Sequence, residues 1–166
     1  MNALSLSPQG LDLLKSIETL ALKPYDDQSG NVIHQWLPGA TIGYGHLISE
    51  AQWPLYADGL NVAGAEALFK SDLAPFEQAV NRLVTRTLTQ YKFDALVILM
   101  FNIGIGAFSS SSVLKLVNDP ATPTPYADLE EAWKAWDKSQ GKFNQGLANR
   151  RAAEWNLYSK GIYQRW

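Results

Sequence analysis

From Ala95 to Ile105 the chain is apolar except for Asn102 and Gly104. The run is shorter than the ~20 residues a membrane span needs, so it reads as a buried helix. Thr89 is positioned to start that helix, and Phe93, Leu96, Val97, Met100 and Phe101 give it a core-facing stripe through Phe101. Gly104 and Gly106 are expected to end it. With 46% hydrophobic and 11% aromatic residues in a chain of 166, there is enough apolar side chain to fill the core around such a helix.

Other helices are legible from their start signals. Ser7-Pro8 supplies a capping hydroxyl followed by proline in the first turn, and opens a helix over residues 7–18. Asn61 caps a helix through Leu73, with Val62, Ala65, Leu68 and Phe69 in step. Pro75 is read as the first turn of a further helix reaching Val84. Shorter helices are expected at about 112–118, 127–138 and 147–158. Residues 22–47 carry the signals of a small sheet, with turns at Asp26–Gly30 and at Pro38-Gly39. The fold class is therefore α+β.

Composition narrows the function. No cysteine is present, which excludes disulfides and thiolate metal sites. The two histidines, His34 and His46, do not make a zinc site by themselves, and no metal or cofactor is implied. The N-terminus has neither the basic start nor the apolar stretch of a signal peptide, so synthesis in a cytoplasm without a Sec signal is expected. Residues 132–166 hold seven Lys or Arg against two acids, Asp137 and Glu154, although the whole chain has a net charge of −2. That end is either a surface for an anionic polymer or a helix pair with solvated lysines.

Glu18, Asp27 and Thr41 come from three different local structures: a helix end, a turn and a short strand. Leu11, Leu14 and Glu18 share a helix face. A carboxyl at the end of an apolar stripe is partly desolvated, which favours its protonated form and suits a general acid. Helix logic alone also allows a solvent-facing glutamate, and Asp27 alone reads as a turn residue bonding nearby amides. In the stretch 41–45, Thr41, Gly43 and Gly45 are expected on one strand face and Ile42 and Tyr44 on the other. The first face then carries one hydroxyl and no other side chain, so a flat polymer could lie close to it. Its Gly-x-Gly lacks the third glycine and following helix of a dinucleotide loop.

Glu18, Lys23-Pro24-Tyr25, Asp27, Gly30 and Thr41-Ile42-Gly43-Tyr44-Gly45-His46 together resemble the catalytic block of phage-type lysozymes, glycoside hydrolase family 24. Two later segments are also similar to that family: Phe93-Asp94-Ala95-Leu96 with Phe101–Phe108, and Gly146-Leu147 with Asn149–Glu154. The stretch between Gly30 and Thr41, containing Trp36-Leu37-Pro38-Gly39, is longer than in the shortest members.

The resemblance implies a single catalytic domain over 1–166 with a lysozyme-like fold. Its small sheet lobe would be near 19–60, its larger helical lobe 1–18 plus 61–166, and its cleft between them. It implies a muramidase cleaving the β-1,4 bond between N-acetylmuramic acid and N-acetylglucosamine. Glu18 would be the acid, Asp27 and Thr41 would handle a water, and Arg150, Gly43 and Gly45 would line the cleft. His46 would pair with Asp72 away from the chemistry. The expected partner is the peptidoglycan glycan strand. Nucleic acid, stable membrane association and oligomerisation are not expected. The implied site of action is the periplasm, reached from the host bacterial cytoplasm after a holin permeabilises the membrane. A lytic transglycosylase and a non-catalytic wall-binding or structural phage module are the competing readings.

Overall fold

The computed structural model describes residues 2–166. Two compact units are formed, one of Leu14–Ala74 and one of Met1–Leu13 with Pro75–Trp166. Both boundaries fall inside helices, α1 (Pro8–Ile17) and α3 (Val62–Leu83). The smaller unit therefore takes in more helix than the 19–60 span suggested by sequence. At the start of α1 the Ser7 hydroxyl accepts the Gly10 N–H at 3.0 Å, as its capping role requires.

The smaller unit is built on a three-stranded antiparallel sheet in the order β1 (Ala21–Asp26), β2 (Ala40–Gly43), β3 (His46–Leu47). Ala21 pairs with Gly43 and Tyr25 with Thr41, with an irregularity in register between them. Pro24 lies in that irregular stretch, where the ladder does without the N–H it lacks. Ala40, Ile42 and Ile48 form the sheet's buried cluster, on which Ile33, Trp36, Trp53 and Leu68 pack. The Trp36 indole N–H donates to the Ile48 carbonyl at 2.9 Å, tying the long 31–39 stretch to the sheet. Between the sheet and α3 come a 3₁₀ turn (Glu50–Gln52) and α2 (Trp53–Tyr56), with a capping box formed by Ser49 and Gln52.

The larger unit surrounds α4 (Gln90–Ile103), in which every residue from Phe93 to Met100 is buried. Its companions are α5 (Ile105–Ser109), α6 (Ser112–Asn118), α7 (Leu129–Lys134) and α8 (Gln145–Lys160). A two-stranded hairpin pairs β4 (Lys138–Ser139) with β5 (Lys142–Phe143). Asp94 is fully buried in α4. It accepts from the Ser7 N–H at 3.1 Å, the Ser7 hydroxyl, the Gln90 amide at 2.8 Å and the Tyr163 hydroxyl at 2.6 Å. Burial and the Asp94 contact push the Tyr163 phenol up to about 12.

Three sequence expectations are corrected. Pro75 does not divide two helices, because α3 runs through it. It is exposed, and the carbonyl it leaves without an N–H belongs to exposed Ser71, open to solvent. Gly104 ends α4 with φ of 93°, but Gly106 lies inside α5. The helix expected over 127–138 stops at Lys134 because the chain turns into the hairpin. Both central turn residues, Gln140 and Gly141, have positive φ there, as a tight hairpin requires.

Candidate active site

Glu18 follows directly on α1, and its N–H still donates to the Leu14 carbonyl at 3.2 Å. The rigid helix end thus fixes where this half-buried side chain begins. A Cβ built on Gly45 would lie 3.7 Å from Glu18 Oε2. Gly45 is not on a strand face, as sequence suggested, but in the tight connection 44–45 between β2 and β3. Gly43 at the end of β2 and Gly45 both have positive φ, 68° and 89°. The hairpin closes there because glycine alone adopts such angles without strain.

Asp26 and Asp27 divide the labour of the next turn. Asp26 does the local work: its carboxylate accepts the Gln28 N–H at 3.0 Å and the Ser29 hydroxyl at 2.8 Å. These bonds hold its carboxyl below the usual carboxylate range. Asp27 is exposed, and its Oδ1 accepts from the Gln28 side-chain amide at 3.0 Å. The turn role that sequence allowed for Asp27 is filled by its neighbour.

Asp27 and Thr41 meet at one atom. The Gly39 carbonyl accepts the Asp27 N–H at 3.0 Å and the Thr41 hydroxyl at 2.9 Å. Gly39 reaches this point through the turn Leu37-Pro38-Gly39-Ala40, closed by an Ala40 N–H to Leu37 carbonyl bond of 3.0 Å. Proline second and a positive-φ glycine third are what such a turn demands, and Gly39 has φ of 98°. The Thr41 hydroxyl spends its one hydrogen on Gly39, so its oxygen is left as an acceptor.

Tyr25 stands directly across from Thr41 in the sheet register. Residues two apart on a strand, and residues directly opposed on neighbouring strands, share a face. Tyr25 therefore lies on the Thr41 side, two residues before Asp27. Burial raises its phenol pKa, and the charges of Asp27 and Glu18 raise it further. The two carboxyl groups thus both act on the same phenol. Tyr25 was not singled out from sequence as a site residue, since its placement follows from pairing with Thr41 across the sheet.

The glycines and Arg150 are placed differently. A Cβ on Gly43 would meet Leu68 and Ala65 of α3, so this glycine is buried against the helix rather than open on a strand face. Arg150 belongs to the larger unit, where it is buried. It donates to Glu154 at 2.9 Å and to the Ile98 carbonyl at 3.2 Å, and its guanidinium lies 4.8 Å from the centre of the Trp166 ring. Glu154 also takes Arg151 at 2.7 and 2.8 Å and the Trp133 indole N–H at 3.2 Å. The expected His46–Asp72 pair forms, at 2.8 Å from Nδ1, with Gln52 at 3.3 Å on the other ring nitrogen. Among the described residues no group of three or more His, Cys, Asp or Glu is arranged to hold a metal ion.

A small antiparallel sheet with Asp27 and Thr41, a carboxyl at the end of the preceding helix, and a helical unit whose central helix is buried from Phe93 to Met100 define a lysozyme-like α+β protein. Residues 15–154 match the phage lysozyme family, and the chain belongs to that family. The endolysin of Bacillus phage PZA is 37% identical over 95% of this chain and 56% of its own length. The endolysin of Salmonella phage P22 is 34% identical, with 93% of this chain and 98% of that one covered. The chain spans just over half the length of the Bacillus phage endolysins. Among solved structures, the endolysin of Escherichia coli O157:H7 phage FAHEc1 superposes with a TM-score of 0.76 at 30% identity, covering 99% of both chains. The muramidase domain of SpmX from Asticaccaulis excentricus gives 0.71 at 33% identity, covering 94% of this chain and 98% of that one.

Proposed function

We propose that this chain is a peptidoglycan hydrolase that cleaves the β-1,4 bond between N-acetylmuramic acid and N-acetylglucosamine. The observation that carries the reading is the joint anchoring of Asp27 and Thr41 on the Gly39 carbonyl, on the sheet beside which Glu18 leaves α1. Glu18 protonates the leaving glycosidic oxygen. Asp27, exposed to solvent, takes a proton from the attacking water and stabilises developing oxocarbenium charge. Thr41 accepts a hydrogen from that water, since its own hydrogen is committed to Gly39. Attack by water on the opposite face inverts the anomeric centre, for which the family of mechanisms requires carboxyl groups about 6.5–9.5 Å apart. Gly45 leaves room beside the Glu18 carboxyl. A lytic transglycosylase needs the acid but no water site, so the Asp27–Gly39–Thr41 arrangement favours hydrolysis.

No helix among the described residues is long and apolar enough to cross a membrane. We place the activity in the periplasm of a bacterial host, on monomeric enzyme, after another protein has opened the inner membrane. The test is turbidity loss of purified peptidoglycan. Glu18→Gln keeps the side-chain shape but cannot donate a proton, and should lower the rate by ~10²–10⁴-fold with the fold intact. Activity within a few-fold of wild type would remove Glu18 as the acid.

A further inference from the structure

We infer that Gly39 is the positioning residue of the water-activating pair: its carbonyl sets Asp27 and Thr41 relative to each other, and its missing side chain makes the place where the Asp27 carboxylate sits. The inference rests on the roles proposed for Asp27 and Thr41 and extends them to a residue of the long 31–39 stretch.

Two independent features of Gly39 support it. The first is the shared acceptor, with the Asp27 backbone N–H at 3.0 Å and the Thr41 hydroxyl at 2.9 Å on one oxygen. A carbonyl has two lone pairs, and here one takes an N–H from the residue after β1 and the other a hydroxyl from β2. The second is steric. A Cβ on Gly39 would overlap Asp27 Oδ1 and come within 3.2 Å of the carboxyl carbon. The Asp27 carboxylate therefore packs over the bare α-carbon, and any side chain at position 39 must push it away. Neither feature depends on protonation. Each ties a catalytic group to the Pro38-Gly39 turn, which the Trp36 bond to Ile48 holds against the sheet.

Gly30 supplies the internal control. It has φ of 74° in the same loop region, yet a Cβ there would have nothing within 4 Å. Alanine at either position carries the strain of a left-handed backbone, but only alanine at 39 meets Asp27. The experiment compares Gly39→Ala, Gly30→Ala and wild type for thermal stability and for kcat and KM on purified peptidoglycan. Gly30→Ala should lose stability and keep kcat per folded molecule within twofold. Gly39→Ala should lose kcat by ~100-fold, the scale of an ångström-sized misplacement, with KM close to wild type. Gly39→Ala with kcat within threefold of Gly30→Ala would overturn the inference.

A stability cycle covers the case in which Gly39→Ala folds poorly. If the Asp27 carboxylate is what the new methyl strikes, Asp27→Ala should restore much of the stability lost by Gly39→Ala. Strictly additive losses, or a double variant that stays unfolded while Gly30→Ala folds, would overturn the steric half of the inference. This cycle is read without substrate. A wild-type protein inactive on peptidoglycan would defeat the proposed function, whereas the cycle tests the Gly39–Asp27 geometry by itself.

Discussion

Replacing Glu154 by leucine removes the one carboxylate that joins Arg150, Arg151 and Trp133 inside the larger unit. Glu154 is 1% exposed and Arg151 is 1% exposed, so neither group has bulk water to fall back on. Arg151 keeps the Trp136 carbonyl at 2.8 Å and the Asn102 side chain, but loses both contacts to its counter-charge. Leaving a buried charge without its partner costs about 3–5 kcal/mol. Unfolding entropy for a chain of 166 residues is on the order of 350 cal/mol/K, so the expected fall in Tm is about 9–14 °C. Calorimetry or circular dichroism at neutral pH measures it. The double variant Glu154→Leu with Arg151→Met removes the carboxylate together with the more deeply buried of its two cationic partners and should recover part of the loss, because an apolar replacement avoids the desolvation penalty. A fall of less than about 3 °C for the single variant would mean that the cluster is effectively solvated, and the reasoning would be wrong.

Tyr163 makes stability sensitive to alkali. Its folded-state pKa is raised to about 12 from the ordinary 10.0. Its contribution is therefore complete below about pH 10 and is lost as pH rises through about 12, since the unfolded chain releases the phenolic proton first. Tyr163→Phe should flatten the decline of Tm over that interval; equal slopes in both proteins would count against the assignment. Asp27→Asn and Thr41→Ala should each impair turnover without unfolding the protein. Their double variant should be no worse than the poorer single one, because both act through one water; fully additive losses in kcat would separate them.

What sequence could show followed the range of the interactions involved. Glu18, Asp27 and Thr41 sit within one local block, and their placement near the ends of α1, β1 and β2 follows from capping, turn and strand signals close by. The bounds of α6 were equally legible, since Ser111 caps it by accepting the Leu114 N–H at 3.1 Å. The helix expected over 127–138 is shorter, because pairing of Lys138 with Phe143 through Gln140-Gly141 ends it. Pro75 signalled a break that an exposed position did not require. The anchoring by Gly39 was hidden because Pro38-Gly39 announces a turn without saying what its carbonyl will meet. Asp94 with Tyr163, and Trp133 with Glu154, lie 69 and 21 residues apart. Such buried partnerships have no local pattern and appear only when the helices are packed.

The most direct measurement of the central claim is the chemistry of the new glycan end. Purified peptidoglycan digested in ¹⁸O-water and examined by mass spectrometry reports which nucleophile attacked. Hydrolysis by a water held between Asp27 and Thr41 predicts reducing N-acetylmuramic acid ends carrying one ¹⁸O at the anomeric carbon, formed by wild type and nearly absent with Glu18→Gln. Products ending in an unlabelled 1,6-anhydro sugar, or reducing N-acetylglucosamine ends, would contradict the account.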